Sequence, residues 1–328
     1  MTELSTTYLG IKLKSPLVVA ASPISSMIDQ VRQAERAGAG AIVIRSLFEE
    51  QIRFDAMRLE EDLSVGADSF AEALSYFPTL THGEADEHAM WIRKTRDAVH
   101  IPVIASLNAI TPDGWRRYAH ILADTGVDAL ELNPYAVALN PDLSGAEIEQ
   151  NLYRLVDNVL DEVDIPVSVK LTPFYTSTAH VVSQLAKHGV AGVVLFNRFL
   201  QPDIDAVEES MVNEITYSTQ AERTLPMRWI ALLYQQFNLD LAHNTGIHTG
   251  IDIARALLAG ANVVQIASAL LKHGVHYLAT MQNELLQWME EHDYEKLSDF
   301  RGKLSAANIP DPVTYERAQY VNLLMQQK

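Results

Sequence analysis

Short apolar, largely β-branched runs recur along the chain: LVVAAS (17–22), AIVIRS (41–46), PVIASLN (102–108), DALELN (128–133), VSVKLT (167–172), GVVLFN (192–197), DLAHNTG (240–246) and VVQIAS (263–268). Each is continuously apolar rather than alternating, as expected of a strand covered on both faces in a parallel sheet. The segments between them read as helices. Several end in a glycine turn before the next strand, as in AERAGAGAIVI, ILADTGVDAL, LAKHGVAGVVL and ALLAGANVVQI, where glycine takes the left-handed conformation that closes a helix. Before two other strands proline stops the helix, in AVHIPVIAS and VDIPVSVK. Eight alternating β-α units predict an α/β fold: a single (β/α)8 TIM barrel over residues 1–328, with an insertion after strand 2 and C-terminal helices. A doubly wound open sheet is the structural rival, but no GxGxxG turn follows the first strand.

Composition narrows the function classes. With 42 acidic and 25 basic side chains the net charge is −17, which repels nucleic-acid phosphates and anionic lipid, and no basic patch offsets it. The chain has no cysteine, which excludes disulfides, thiolate metal sites, iron–sulfur clusters and a cysteine nucleophile. No stretch approaches the ~20 apolar residues that span a bilayer, and the N-terminus lacks a signal-peptide pattern. The expectation is a soluble, cytoplasmic protein with a small-molecule substrate, and no nucleic-acid or membrane partner.

Barrel chemistry sits at the carboxyl ends of the strands. Those ends carry Ala21 and Ser22; Arg45 and Ser46; Ser106 and Asn108; Asn133; Lys170 and Thr172; Asn197 and Arg198; Asn244, Thr245 and Gly246; Ala267 and Ser268. Amides and cations recur, and no Asp or Glu ends a strand, so paired carboxylates or a metal cluster are poorly supported. The set suits an electron-rich heteroaromatic ligand bearing a phosphate. NTGIHTG and IASAL follow the seventh and eighth strands, where barrels bind phosphate through backbone N–H groups.

The segments LKSPLVVAAS, AGAGAIVIRS, ELN, VSVKLTP, NTGIHTGIDIARALLAGANVVQIASAL and DYEKLSDFRGKLS, in that order, resemble the dihydroorotate dehydrogenase family of flavin mononucleotide (FMN) barrels, from about residue 7 to 305. The resemblance implies that Ala21 and Ser22 approach the flavin and that Asn108 and Asn133 hydrogen-bond near it. It also implies that Lys170 sits by the N1 and O2 edge, where an ammonium would stabilise the charge of reduced flavin. The other reading of Lys170 is a structural salt-bridge partner. Arg45 matches a second cation over the flavin, with arginine where lysine is usual. Thr245 and Gly246 match a family Gly-Gly pair, and Ala267 and Ser268 a Gly-Thr or Gly-Ser pair. Ser46 and Asn197 complete the implied cofactor set, and a homodimer is expected.

The chain also departs from the family. Family members that oxidise dihydroorotate carry a cysteine or serine base within three residues of ELN; here the matching residue is Ala136. Neighbouring Tyr135, with an ordinary pKa near ~10, would serve better as an acid than as a base. Its alternative is packing against the flavin or the loop. The segment ALSYFPT (73–79) puts Ala73 and Thr79 where the family has ring-holding asparagines, and Arg198 replaces a small hydroxyl residue. These changes favour another small cyclic or conjugated substrate over dihydroorotate. His243 and His248 are weaker acid-base or phosphate candidates, and the acidic stretch 49–87 reads as a substrate-covering insertion or partner surface. The resulting reading is an FMN oxidoreductase with Lys170, Arg45 and Tyr135 in the chemistry and a soluble electron acceptor. A non-catalytic barrel for FMN or another phosphorylated ligand, and a Schiff-base aldolase using Lys170, are the alternatives.

Overall fold

A computed structural model of the protein describes residues 2–54, 83–135, 137–198, 201–212 and 216–316. The strands are β1 (Thr6–Tyr8), β2 (Ile11–Leu13), β3 (Leu17–Val19), β4 (Ala41–Val43), β5 (Leu47–Phe48), β6 (Val103–Asn108), β7 (Ala129–Leu132), β8 (Val167–Leu171), β9 (Gly192–Leu195), β10 (Asp203–Asp205), β11 (Ser210–Val212), β12 (Asp240–Asn244) and β13 (Val263–Ile266). Eight of them, β3, β4, β6, β7, β8, β9, β12 and β13, pair in parallel, and the β4–β6 pairing closes the ring. The protein is therefore a (β/α)8 barrel, and every expected strand lies inside its expected bounds. Two antiparallel hairpins, β1–β2 and β10–β11, and the short β5 add to the expected set.

The pleat sends alternate side chains to opposite faces, so each barrel strand feeds two cores. Val18, Ala41, Val43, Ile104, Ala129, Val194, Ala242 and Val263 fill the lumen, packed with Tyr8, Leu9 and Leu13 of the first hairpin. The alternate residues, among them Val19, Ile42, Val103, Leu130, Val169, Val193, Leu241 and Val264, pack outward with the helices. A capping box at Ser144 and Glu147 starts the helix Gly145–Leu160. Gly260, at φ 123°, ends the helix Gly250–Ala259, and a Cβ there would lie 2.3 Å from the Tyr234 ring.

The C-terminal helix Tyr277–Glu291 packs on Gly250–Ala259. The tail ATMQNELLQWMEEHDYEKLSDFRGKL (279–304) reads as amphipathic helices closing the barrel, and the first of them ends at Glu291, where Asp293 takes a left-handed φ of 57°. The following segment folds as a short 3-10 helix, Leu297–Asp299, and turns. The Gly302 and Leu304 N–H groups donate to Leu257 and Leu258, and Ala306 donates to Ala231.

Most of the 49–87 insertion, with Ala73 and Thr79, lies outside the described residues, as does Ala136. Among the described residues, no helix is long and apolar enough to cross a membrane, and no group of three or more His, Asp or Glu side chains could hold a metal.

Candidate active site

Counting upward by two from the apolar lumen leads to the site. Ile104 is followed by Ser106, Ala129 by Glu131, Ala242 by Asn244 and Val263 by Gln265, with Ser168 and Lys170 on β8 in the same phase. All six are buried. One Glu131 oxygen accepts a hydrogen bond from the Gln265 amide, and the other lies 3.8 Å from the Lys170 ammonium. Lys170 is thus both a strand-end cation and half of a buried ion pair. Glu131 and Gln265 are absent from the strand-end residues because each sits inside an apolar run; the alternation of inward-facing positions down from the mouth is the signal that reveals them.

Above this layer a cavity of about 250 Å³ opens between the strand ends. It gathers Ala21, Ser22, Lys170, Asn197, Thr245, Gly246, Ala267 and Ser268, together with Arg198 and Gln265. Arg45 and Ser46 are placed elsewhere. They line a second cavity of about 400 Å³ with His88 and Trp91. Its floor is pinned where the Ser46 and Ser106 hydroxyls meet at 2.7 Å. Burial and then the Arg45 charge push His88 down to about 4. Asn108 is buried at the end of β6, and Asn133 accepts a 2.7 Å hydrogen bond from Asn197. Tyr135 is 42% exposed. A larger groove of about 580 Å³ runs over outer helices, lined by Asp113, Arg116, His120 and Glu162, and not by strand ends.

The loop after β12 is held under strain and by a dense set of bonds. Thr245 adopts φ 81°, a left-handed conformation that costs a β-branched residue of order 1–3 kcal/mol. Gly246 at φ 76° admits no side chain, since a Cβ would lie 2.3 Å from the Arg223 nitrogen. Ser218 bridges this loop and the next. Its hydroxyl lies 3.4 Å from the Gly246 nitrogen and 3.3 Å from His248 Nε2, and its own N–H donates to Ser268 at 3.0 Å. Asp252 anchors the base of the loop. Burial alone would raise its carboxyl, but hydrogen bonds from His248, Thr249 and Gln220 and the Arg223 charge outweigh that and hold it below the usual range.

Arg198 is fully engaged by Glu222 at 2.7 Å and the Thr216 carbonyl at 2.6 Å. His243 points outward from β12, bonded to the Arg223 carbonyl and not to the cavity, and burial pushes it down to about 4.

Fold and site together define a barrel with a cation-bearing, partly unsatisfied polar layer at the carboxyl ends of its strands. A family model described as dihydroorotate dehydrogenase matches residues 66–289, and the chain belongs to that family of flavin-dependent oxidoreductases. It is similar to the chloroplastic dihydropyrimidine dehydrogenase (NADP(+)) of Arabidopsis thaliana, 24% identical over 92% of this chain and 76% of the relative. It also resembles the catalytic subunit of dihydroorotate dehydrogenase B (NAD(+)) of Methanocaldococcus jannaschii, 25% identical over 88% and 94%. The NAD-dependent dihydropyrimidine dehydrogenase subunit PreA of Escherichia coli is 21% identical over 94% and 78%.

Proposed function

We propose that the chain binds FMN in the cavity above Lys170 and transfers hydride between it and a C–C bond of a small cyclic substrate, a dihydropyrimidine being the first to test. The observation that carries this reading is the buried Lys170 of β8 beneath a cavity bordered by loops after β3, β9, β12 and β13. Buried polar atoms support it: Ser22 Oγ, Glu131 Oε1 and Gln265 Oε1 at or just below the cavity, and Asn108 Oδ1 at the end of β6, all have no hydrogen-bond partner. A buried polar atom left so costs about 1–3 kcal/mol, and a flat ligand with N–H and C=O groups on its edge would repay it. The residues therefore fit the group. Bound FMN would supply the electron-pair acceptor or donor that no side chain can provide.

Within that reading Ala21, Ser22, Asn108, Asn133 and Asn197 flank the ring. Thr245, Gly246, Ala267 and Ser268 hold the phosphate, with Ser218 releasing the Gly246 N–H and the Ser268 hydroxyl to it. Lys170 stabilises the negative charge of the reduced state. Exposed Tyr135 gives a proton to, or orients, the substrate, and Arg45 and Ser46 meet it from the side of the second cavity. The substrate class is supported by the relatives' names, which share a reduced pyrimidine ring. A homodimer and a soluble electron acceptor complete the proposal.

The test is the visible absorption of the chain with FMN, before and after anaerobic addition of dihydroorotate, dihydrouracil and dihydrothymine. The expected result is a bound flavin that one of the three bleaches. Stable yellow with every donor would favour the non-catalytic barrel, and a protein that takes up no FMN would overturn the proposal.

A further inference from the structure

The mouth of the barrel holds a counter-charge that the strand-end residues alone do not reveal. Glu131 is 1% exposed, its Oε1 lies 3.8 Å from Lys170 Nζ, and its Oε2 is fixed by Gln265. Oε1 makes no hydrogen bond, so the carboxylate is oriented by the amide on one side and by the ammonium's field on the other. Both partners of Glu131 border the cavity, whereas Glu131 lies beneath it. Deeper still is the Tyr8 phenol, which burial first and the Glu131 charge second push well above its ordinary value. Below Glu131 the lumen turns apolar, so its charge is poorly screened and acts upward on Lys170.

We infer that Glu131 is a positioning residue that holds Lys170 toward the cavity and partly cancels its charge, setting how strongly the site favours the reduced form of a bound flavin. The inference rests on the FMN reading above. An unopposed buried ammonium would favour the anionic, reduced ligand most strongly. A carboxylate 3.8 Å behind it moderates that preference. The consequence is functional: a site so balanced can pass electrons onward to an acceptor instead of trapping them. Gln265, by fixing the far oxygen, keeps the pair from collapsing into a tighter, more fully neutralised contact.

The experiment is a dye-equilibrated reductive titration of the FMN-loaded chain and its variants. Glu131→Gln is nearly isosteric and, once the Gln265 amide flips to accept from the new NH2, keeps its oxygen facing Lys170. It is expected to increase the preference for reduced over oxidised FMN about tenfold, an upward shift of about 30 mV for a two-electron couple. Lys170→Gln is expected to move the midpoint in the opposite direction. Glu131→Asp, which keeps the charge but withdraws the carboxylate, should give a smaller upward shift, and it serves where Glu131→Gln does not fold. A Glu131→Gln variant that binds FMN with the wild-type midpoint overturns the inference while leaving the cofactor reading intact, as does an unshifted Glu131→Asp where only that variant folds. A wild-type chain that takes up no FMN overturns both.

Discussion

The lower and upper halves of the barrel lumen are built by the same strands in the same pleat, yet they obey opposite rules. Below, Val18, Val43, Ala129, Val194 and Val263 make an apolar plug with Tyr8, Leu9 and Leu13. One pleat repeat higher, Ser106, Glu131, Lys170, Asn244 and Gln265 occupy equivalent inward positions, and Glu131 and Gln265 each keep an oxygen without a partner. The lower half gains by burial, at about 25 cal/mol per Å² of apolar surface. The upper half forgoes that gain and adds the cost of unsatisfied polar atoms. A fold keeps such a layer where a site needs it, and the contrast locates the chemistry without reference to any relative.

The sharpest way to break the contrast is to place a charge in the wrong half. Ala129 pairs in register with Ile104 and is fully buried. Ala129→Asp is expected to cost more than about 5 kcal/mol, since no cation of the lower half is there to pair the carboxylate, and the protein should be recovered unfolded or insoluble. A soluble variant with a native circular-dichroism spectrum would show that the lower half is not a closely packed apolar plug.

The second largest effect tests the pair that the upper half contains. Lys170→Met leaves Glu131 buried with Gln265 as its hydrogen-bond donor and is expected to cost on the order of 3–5 kcal/mol in urea denaturation. Adding Glu131→Gln should restore much of that loss, because the uncompensated charge is gone. Additive losses would mean that the two residues do not act on each other.

How far the sequence carries the structure differs between the same two halves. Parallel strands buried on both faces announce themselves as apolar runs, and all eight barrel strands were legible on that basis. The β1–β2 hairpin was not, because TTYLGIKL is short and lies outside the repeating β-α unit. In the upper half, residues at strand ends were legible, since a polar residue closing an apolar run is conspicuous. Glu131 and Gln265 were hidden within the runs, one position short of the ends. The direction of a loop side chain was not legible either: Arg45 follows β4, yet the backbone turns it toward His88 and Trp91, away from the Lys170 cavity. The capping pair Thr249 and Asp252, bonded in the structure, was likewise not singled out by the strand ends, which stop short of the helix that follows.

A third prediction concerns pH and sharpens the contrast between the lumen and the outer face of the same strands. His243 faces outward on β12, near Asp252 and Arg223, and is held neutral by burial, with a pKa near 4 in place of the usual 6.5. As pH falls from 6.5 toward 4, the unfolded chain takes up a proton that the folded protein refuses. Stability is therefore fully present above about 6.5 and is lost as pH falls through that window, by about 3 kcal/mol at most. His88, near 4 for the same first cause, adds a slope of the same sign. His243→Gln keeps a donor for the Arg223 carbonyl and should flatten part of the slope between pH 6.5 and 4.5. An unchanged slope in chemical denaturation would assign it to other groups.

The smallest effect isolates the strain at the rim. Thr245 holds φ 81°, and its hydroxyl donates to the Phe196 carbonyl at 3.2 Å, so removing the side chain both relieves and costs. Comparing Thr245→Ala with Thr245→Gly separates the two, because both lose the hydroxyl and only glycine loses the Cβ that disfavours the left-handed backbone. Glycine also frees the unfolded chain, which by itself would make it the less stable variant by up to about 1 kcal/mol. If the rim is strained as its dihedral indicates, relief exceeds that penalty and Thr245→Gly is the more stable by about 1 kcal/mol in urea midpoint. An alanine variant as stable as glycine would mean that the loop relaxes around Thr245 at no cost, and that the bonds of Asp252 and Ser218, not backbone strain, determine its shape.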